Sequence, residues 1–412
     1  MKCRHCYTTL EHLFLDLGFA PPSNAYLTTN DLKAPELHFP LKLLVCDKCW
    51  LVQTEDYAKA DELFDNDYAY FSSISKSWLD HSLAYFELVK ERFSLNGDSH
   101  VIEVASNDGY LLKNFVAENI PCLGIEPTAS TAIAAEKLGV PVIREFFGSE
   151  LAQKLAAKEK LADLIIGNNV YAHVPDINDF TKGLKTILKL DGVVTLEFPH
   201  LMRLIKHTQF DTAYHEHFSY LSLTAVSSIF SSQGLRIWDV EELETHGGSL
   251  RVYGCHEDNA RVNSVNVGQI LEQESKNGLT DLTIYREFQT GAESVKNTLI
   301  SFLIEQRKRG KSVAAYGAAA KGNTILNYAG IRPDLLPYVC DAAPSKQGKY
   351  MPGSHIPILS PEVLKDRKPD YILILPWNIA PEVMDANSFV REWGAKFVIA
   401  VPELRVVCLK YL

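Results

Sequence analysis

The sequence predicts an α/β protein in three parts: a small N-terminal metal-binding domain (residues 1–67), a central Rossmann-like domain (68–275) and a C-terminal Rossmann-like α/β domain (276–412). Three observations predict it. Two Cys-x-x-Cys knuckles, Cys3–Cys6 and Cys46–Cys49, bracket the first segment. From Val101 to Phe198 short apolar runs alternate with helical stretches, the pattern of a parallel sheet covered on both faces. The same alternation resumes at Ser312, after a long helical stretch from Lys276 to Arg309, and runs to Val401. With 412 residues, 46% of them hydrophobic, the chain can build two or three cores.

The knuckles stand 39 residues apart and together supply the four thiolates of a closed tetrahedral zinc site. Four thiolates saturate the ion, so the expected role is structural: the metal closes a segment too small for its own core. Neither knuckle opens a thioredoxin-like βαβ unit, which weighs against a redox pair. Leu10 to Leu51 reads as short strands and turns broken at Pro21-Pro22 and Pro40. Glu55 to Asp67 is acidic and helical in part. Tyr68-Ala-Tyr70-Phe-Ser-Ser then precedes a helix expected from Ser77 to Phe93; its phenols either line a ligand cleft or pack the small domain on the large one. Cys122, Cys255, Cys340 and Cys408 sit in apolar, strand-like contexts and are expected in the core.

In the central domain, Val101–Val104 reads as a buried parallel strand that breaks at Ser106-Asn107-Asp108-Gly109 before a helix. Such a turn leaves a crevice at the strand's carboxyl end, where α/β sheets bind ligands. Gly109 lets the backbone pass close to a ligand. A second strand, Cys122–Ile125, ends in Glu126, placed to accept hydrogen bonds from a ribose diol. The turn lacks the Gly-x-Gly-x-x-Gly that a pyrophosphate requires, so S-adenosylmethionine is expected rather than NAD. Phe147, after the strand at Val140–Ile143, is placed to stack on adenine. The strand Ala162–Gly167 ends in Asn168-Asn169-Val-Tyr171-Ala-His173, facing the same crevice, and Gly192–Phe198 adds a further strand.

Asp211 to Tyr220 contains Tyr214-His215-Glu216-His217. Histidine titrates near neutrality and relays protons, and a neighbouring glutamate orients it. On a strand, His215 and His217 would share one face and Glu216 the other. Metal binding is disfavoured, because the spacing is not His-Glu-x-x-His and no third ligand is evident. Thr245-His-Gly-Gly-Ser-Leu-Arg251 reads as a tight strand entry near a ligand or as a plain hairpin. In the C-terminal unit, the strand Ser312–Tyr316 leads into Gly317-Ala-Ala-Ala-Lys321-Gly-Asn323-Thr. This is not a Walker A loop, but a helix N-terminus with small residues and a lysine suits an anion, expected to be a phosphate or pyrophosphate of the substrate, with simple packing as the other reading. Tyr316, Lys321, Asn323 and Arg251 are therefore the candidate substrate-binding residues.

A net charge of −10 argues against a general nucleic-acid binder. No apolar run approaches a membrane span, and Met-Lys-Cys-Arg-His-Cys is not a signal segment, so a cytoplasmic location is expected.

Taken in order, the paired knuckles, Tyr-x-Tyr-Phe-Ser-Ser, Glu-Val-Ala-Ser-Asn-Asp-Gly, Asn-Asn-Val-Tyr-Ala-His-Val-Pro-Asp, Tyr-His-Glu-His, His-Gly-Gly-Ser-Leu-Arg and Tyr-Gly-Ala-Ala-Ala-Lys-Gly-Asn-Thr resemble the nucleotide-sugar 3-C-methyltransferases of branched deoxysugar synthesis, over essentially the whole chain. Ala105 stands where relatives often carry glycine. The resemblance implies a zinc-binding N-terminal domain, a central methyltransferase domain and a C-terminal domain that helps hold the nucleotide sugar. It implies a thymidine-diphospho-4-keto hexose whose C3 hydrogen, α to the carbonyl, is removed to give an enolate. By match, His217 is the base, with Glu216 and Tyr214 beside it. His173 and Tyr68 or Tyr70 contact the sugar or the enolate oxygen. Two other classes are a methyltransferase on another acceptor such as RNA, and a non-catalytic nucleotide-sugar-binding protein.

Overall fold

The N-terminal segment folds as an antiparallel sheet whose in-out alternation is broken by irregularities in its first strand. Strand β1 (His12–Ala20) buries Phe14, Leu15, Leu17 and Ala20, and β2 (Phe39–Val45) buries Leu41, Leu43 and Val45. Alternate side chains of a strand point to opposite faces, so one face of this antiparallel pair is apolar. Strand β3 (Val52–Thr54) extends it, and Ser219–Tyr220 from the central region closes the sheet beside β3. The computed structural model describes residues 1–55, 57 and 71–408; the expected helical stretch at Glu55–Asp67, Tyr68 and Tyr70 lie almost wholly outside them.

The central sheet is built from β4 (Val101–Val104), β5 (Cys122–Ile125), β6 (Val142–Ile143), β7 (Ala162–Asn168) and β8 (Leu188–Pro199), all parallel. With Ser219–Tyr220 counted as β9, a hairpin of β10 (Leu235–Leu243) and β11 (Ser249–His256) adds antiparallel to β8. The order is β10-β11-β8-β7-β4-β5-β6. Connections from β4 run to β5 on one side and reach β7 on the other, so the crevice opens at the carboxyl ends of β4 and β7.

The C-terminal sheet has the order β14-β13-β12-β15-β16-β17, from β12 (Val313–Tyr316), β13 (Val339–Cys340), β14 (Ile358–Leu359), β15 (Tyr371–Ile374), β16 (Lys396–Ile399) and an antiparallel β17 (Arg405–Val407). Its switch point lies between β12 and β15 and faces that of the central sheet.

The connecting stretch is two helices, Val265–Lys276 and Leu282–Lys308. The second buries Tyr285, Phe288, Ala292, Val295, Leu299 and Leu303 at helical spacing. Phe288 stacks on Phe14 of β1 at 4.6 Å. The N-terminal strands thus share one core with this helix and the C-terminal sheet. Cys255 and Cys340 are buried as expected; Cys122 is half-buried and Cys408, near the chain's end, is exposed. Among the described residues no helix is long and apolar enough to cross a membrane.

Candidate active site

A cavity of about 650 Å³ lies between the two switch points, closed at one end by the N-terminal segment. Its central-domain wall is the turn after β4. Ala105 (φ 58°) and Asn107 (φ 50°) take left-handed conformations and line the cavity. Glycine adopts such a conformation without strain; Ala105 adopts it with a Cβ in place. Glu126 is buried at the end of β5, where its carboxylate accepts from the Asn107 N–H at 3.0 Å and the Thr128 N–H at 2.9 Å. Burial raises its pKa. Phe147 lines the cavity with its edge braced on Phe180 at 5.1 Å. Asn168 lines it too, with a buried Oδ1 that accepts no hydrogen bond among the described residues. A carboxylate for a diol, an aromatic face and an orphaned acceptor suit S-adenosylmethionine, which would lie against Glu126, Phe147 and Asn168.

Two expected donor-side residues have other tasks. Ser106 is fully buried and packs on Gly124 of β5, where a Cβ would come within 2.4 Å of its Oγ. Gly109 (φ 77°) is required by packing: a Cβ there would meet Ala135 at 3.1 Å and Val140 at 3.3 Å. Neither lines the cavity. Replacing Glu126 by alanine should weaken S-adenosylhomocysteine binding by about 1.5–3 kcal/mol, the cost of a lost charge-assisted hydrogen bond. Calorimetry giving the wild-type affinity would remove Glu126 from the cofactor site.

The Tyr-His-Glu-His cluster sits opposite. Tyr214 to Phe218 is a turn rather than a strand, which corrects the expected facing. Tyr214, Glu216 and His217 line the cavity together. His215 turns away, its Nε2 donating to the Pro40 carbonyl at 3.2 Å and its ring against Phe39. The turn is pinned from three sides. Thr54 donates to the His217 carbonyl at 3.2 Å, Thr324 to the Ala213 carbonyl at 2.7 Å, and β9 pairs with β3.

His217 Nδ1 lies 3.0 Å from the Thr212 carbonyl. A carbonyl only accepts, so Nδ1 carries the proton and Nε2 of the neutral ring keeps its free lone pair. Burial, then His173 beside it, hold His217 well below the usual imidazole range. The His217 ring touches Tyr214 (4.0 Å between centroids) and His173 (4.6 Å). His173 Nδ1 in turn donates to the Glu216 carbonyl at 2.8 Å, and burial lowers its pKa to about 4. The Glu216 carboxylate accepts from Asn24 Nδ2 at 2.7 and 3.0 Å, and burial lifts it to about 7.

The sequence reading passed over Asn24, which carries no local signal, and His246. The latter sits at φ 54° in the β10–β11 hairpin, with Nε2 3.1 Å from Asn169 Nδ2; burial lowers its pKa to about 4. His-Gly-Gly was its signal. Gly247 follows because Trp377 fills the space where a Cβ would stand, 2.4 Å away.

The C-terminal wall brings Lys321, Lys346, Pro376 and Asn378 to the cavity. The other expected substrate ligands are structural. Tyr316 packs into the C-terminal core beside β12. Asn323 is buried and donates to the Ser23 carbonyl, tying the N-terminal segment to this domain. Arg251 is buried under Tyr85 and paired with Glu197 at 2.8 Å and Glu241 at 3.3 Å. Glu197 also accepts from His81 and Thr245, so Arg251 supports the turn that presents His246. None of the three lines the cavity; Asn323 and Arg251 are buried and Tyr316 is half-buried.

The four knuckle sulfurs converge within 4.8 Å of one another, with Cys3–Cys49 at 3.5 Å and Cys6–Cys46 at 3.4 Å. Tetrahedral Zn–S bonds of about 2.3 Å place sulfurs about 3.8 Å apart, so the set fits zinc. The site lies away from the cavity, and its four sulfurs leave no open position.

Three family models match the chain in succession: "Putative zinc binding domain" over residues 3–64, "Methyltransferase domain" over 78–240 and "C-methyltransferase C-terminal domain" over 244–402. The C-methyltransferase NovU of Streptomyces niveus is 35% identical over 406 residues, covering 98% of this chain and 96% of that protein. Solved structures with similarity include the magnesium protoporphyrin IX methyltransferase of Synechocystis PCC 6803 with bound SAM (14% identity, TM-score 0.34, 43% of this chain and 79% of that one). Another is PH0226 of Pyrococcus horikoshii OT3 (14% identity, TM-score 0.37, 46% and 95%).

Proposed function

Because this chain belongs to the S-adenosylmethionine-dependent C-methyltransferases, we propose that it methylates C3 of a thymidine-diphospho-4-keto-deoxyhexose through an enolate. The observation that carries this reading is the His217 ring: it lines the cavity in a tautomer set by the Thr212 carbonyl, among His173, Tyr214 and Glu216. Carbon is nucleophilic only after deprotonation. The hydrogen α to a ketone is a weak acid, so the reaction needs a neutral base at the carbon and a donor or positive charge at the forming oxyanion.

His217 Nε2 takes the C3 proton in this scheme. His173 and Tyr214 pack against the base and offer polar atoms to the sugar, and Glu216, held by Asn24, accepts from a sugar hydroxyl. When bound, S-adenosylmethionine supplies an electrophilic methyl group. A non-catalytic nucleotide-sugar-binding protein would not need a base with a prescribed tautomer. An RNA acceptor is disfavoured by the net charge of −10.

Incubation with thymidine-diphospho-4-keto-6-deoxyglucose and S-adenosylhomocysteine in deuterium oxide tests the reading. Deuterium at C3, seen by NMR, is expected. Deuterium at C5, the other carbon α to the same carbonyl, would move the methylation site; no deuterium and no methyl transfer would reject the sugar.

A further inference from the structure

Lys321 was expected to bind the substrate's diphosphate, but its surroundings suit another task. We propose, resting on the enolate reading above, that Lys321 is a catalytic residue whose positive charge stabilises the oxyanion formed at the sugar's C4 carbonyl. Its side chain lines the cavity with His217 and His246, while its ammonium is closed off from solvent and hydrogen-bonds nothing among the described residues. It lies 4.7 Å over the Trp377 ring, and Trp377 Nε1 donates to the buried Asp211 at 2.7 Å. The second Asp211 oxygen has no hydrogen-bond partner among the described residues either. Asp211 is near enough to favour the charged ammonium, but no hydrogen bond fills its donors among the described residues; such a group is costly, and a fold retains one where a further acceptor arrives.

Electrostatics decides which anion. Lys321 is close enough to His217 and His246 that its charge, after burial, helps depress both imidazoles. A cation beside a general base weakens that base. The arrangement is useful only if negative charge develops next to the base in the same step. C3 and C4 are bonded neighbours, so the anion that forms when His217 acts is carried largely by the C4 oxygen. A diphosphate, by contrast, is strongly hydrated and present before reaction; it would pull on the ground state and transition state alike, which does not raise turnover. The ammonium reaches the oxygen by rotation about its flexible stem, off the Trp377 face. Lys346, the other lysine of this wall, is already engaged with the Ala318 carbonyl at 2.8 Å and Asp341 at 3.8 Å.

The step balances without further reactants. The C3–H bond breaks and the proton goes to His217 Nε2. The electron pair spreads over C3, C4 and the oxygen beside Lys321, whose charge burial disfavours and the nearby Asp211 carboxylate supports. That pair then forms the C3–methyl bond while the S–methyl bond breaks and its electrons return to sulfur. His217 releases its proton to water.

The test compares Lys321→Met and Lys321→Arg by α-hydrogen exchange in deuterium oxide. Thymidine-diphospho-4-keto-6-deoxyglucose is saturating, S-adenosylhomocysteine is bound, and nucleotide-sugar Kd is measured separately. Lys321→Met should lower exchange about 10²–10³-fold, the loss seen when one oxyanion donor is removed, with Kd nearly unchanged. Lys321→Arg should recover part of the rate. The acid limb of the exchange profile should move to higher pH in Lys321→Met, since the cation no longer weakens His217; a packing role would not move it. Wild-type exchange at saturation combined with weakened nucleotide-sugar binding would overturn the proposal and return Lys321 to the diphosphate. If Lys321→Met does not fold, Lys321→Gln replaces it under the same criteria. Wild-type enzyme that incorporates no deuterium and transfers no methyl group would overturn the sugar reading itself, a failure distinct from that of Lys321.

Discussion

His217→Asn should lower methyl transfer about 10²–10⁴-fold, the usual cost of removing a general base, while both substrates still bind. Asparagine is close in shape to the near half of the imidazole and can still donate to the Thr212 carbonyl, which His217 Nδ1 meets at 3.0 Å. The turn should therefore survive, and the loss should report the missing Nε2. Exchange of the α-hydrogen should fall in parallel, because it needs the base but not the methyl group. The pH dependence separates His217 from its neighbour. Burial, with His173 beside it, lowers the His217 pKa, so the neutral base is already present at neutral pH and the acid limb should lie below 6.5. Burial raises Glu216 to about 7, so a carboxylate base would lose activity as pH falls through about 7. A limb near 7 that vanishes in Glu216→Gln, with exchange retained in His217→Asn, would transfer the role to Glu216.

Stripping zinc, or replacing Cys46 by serine, should collapse the N-terminal domain and abolish activity although none of the four cysteines lines the cavity. Structural zinc sites carry apparent binding free energies of about 10–16 kcal/mol near neutral pH, and that energy is folding energy. Here the knuckles also attach the segment to the central domain. Cys3, Cys46 and Cys49 belong to one buried cluster with Leu51, Leu221 and Ala225. Arg4 donates to the Pro175 carbonyl at 2.7 Å, and His5 bridges Asn178 and Ser228 at 2.9 and 3.1 Å. Releasing this anchor frees β3, whose Thr54 holds the His217 carbonyl, and Asn24, which holds Glu216. Metal analysis should find one zinc per chain, and a chelator should lower Tm and turnover together. A chelated protein, shown metal-free, with unchanged Tm would show that the cysteines do not carry the fold.

The sequence by itself determined the local chemistry of this protein: which residues make zinc knuckles, which runs alternate as strands, where β4, β5 and β7 end, and which cluster can move a proton. Those features are read from neighbours in the chain, through side-chain periodicity and ligand spacing. The tertiary structure alone decided which polar residues face the cavity. Tyr214, Glu216 and His217 share it because the segment is a turn pinned by Thr54, Thr324 and β9, not the strand that the His-x-His spacing suggests. Ser106, Gly109, Asn323, Arg251 and Tyr316 looked like ligands but are consumed by packing and buried pairing. Asn24, His246 and Lys321, far apart in the chain, meet because two switch points face each other across one cleft. A side chain's availability depends on what fills the space beside it, and that is set by distant segments whose packing no local pattern encodes.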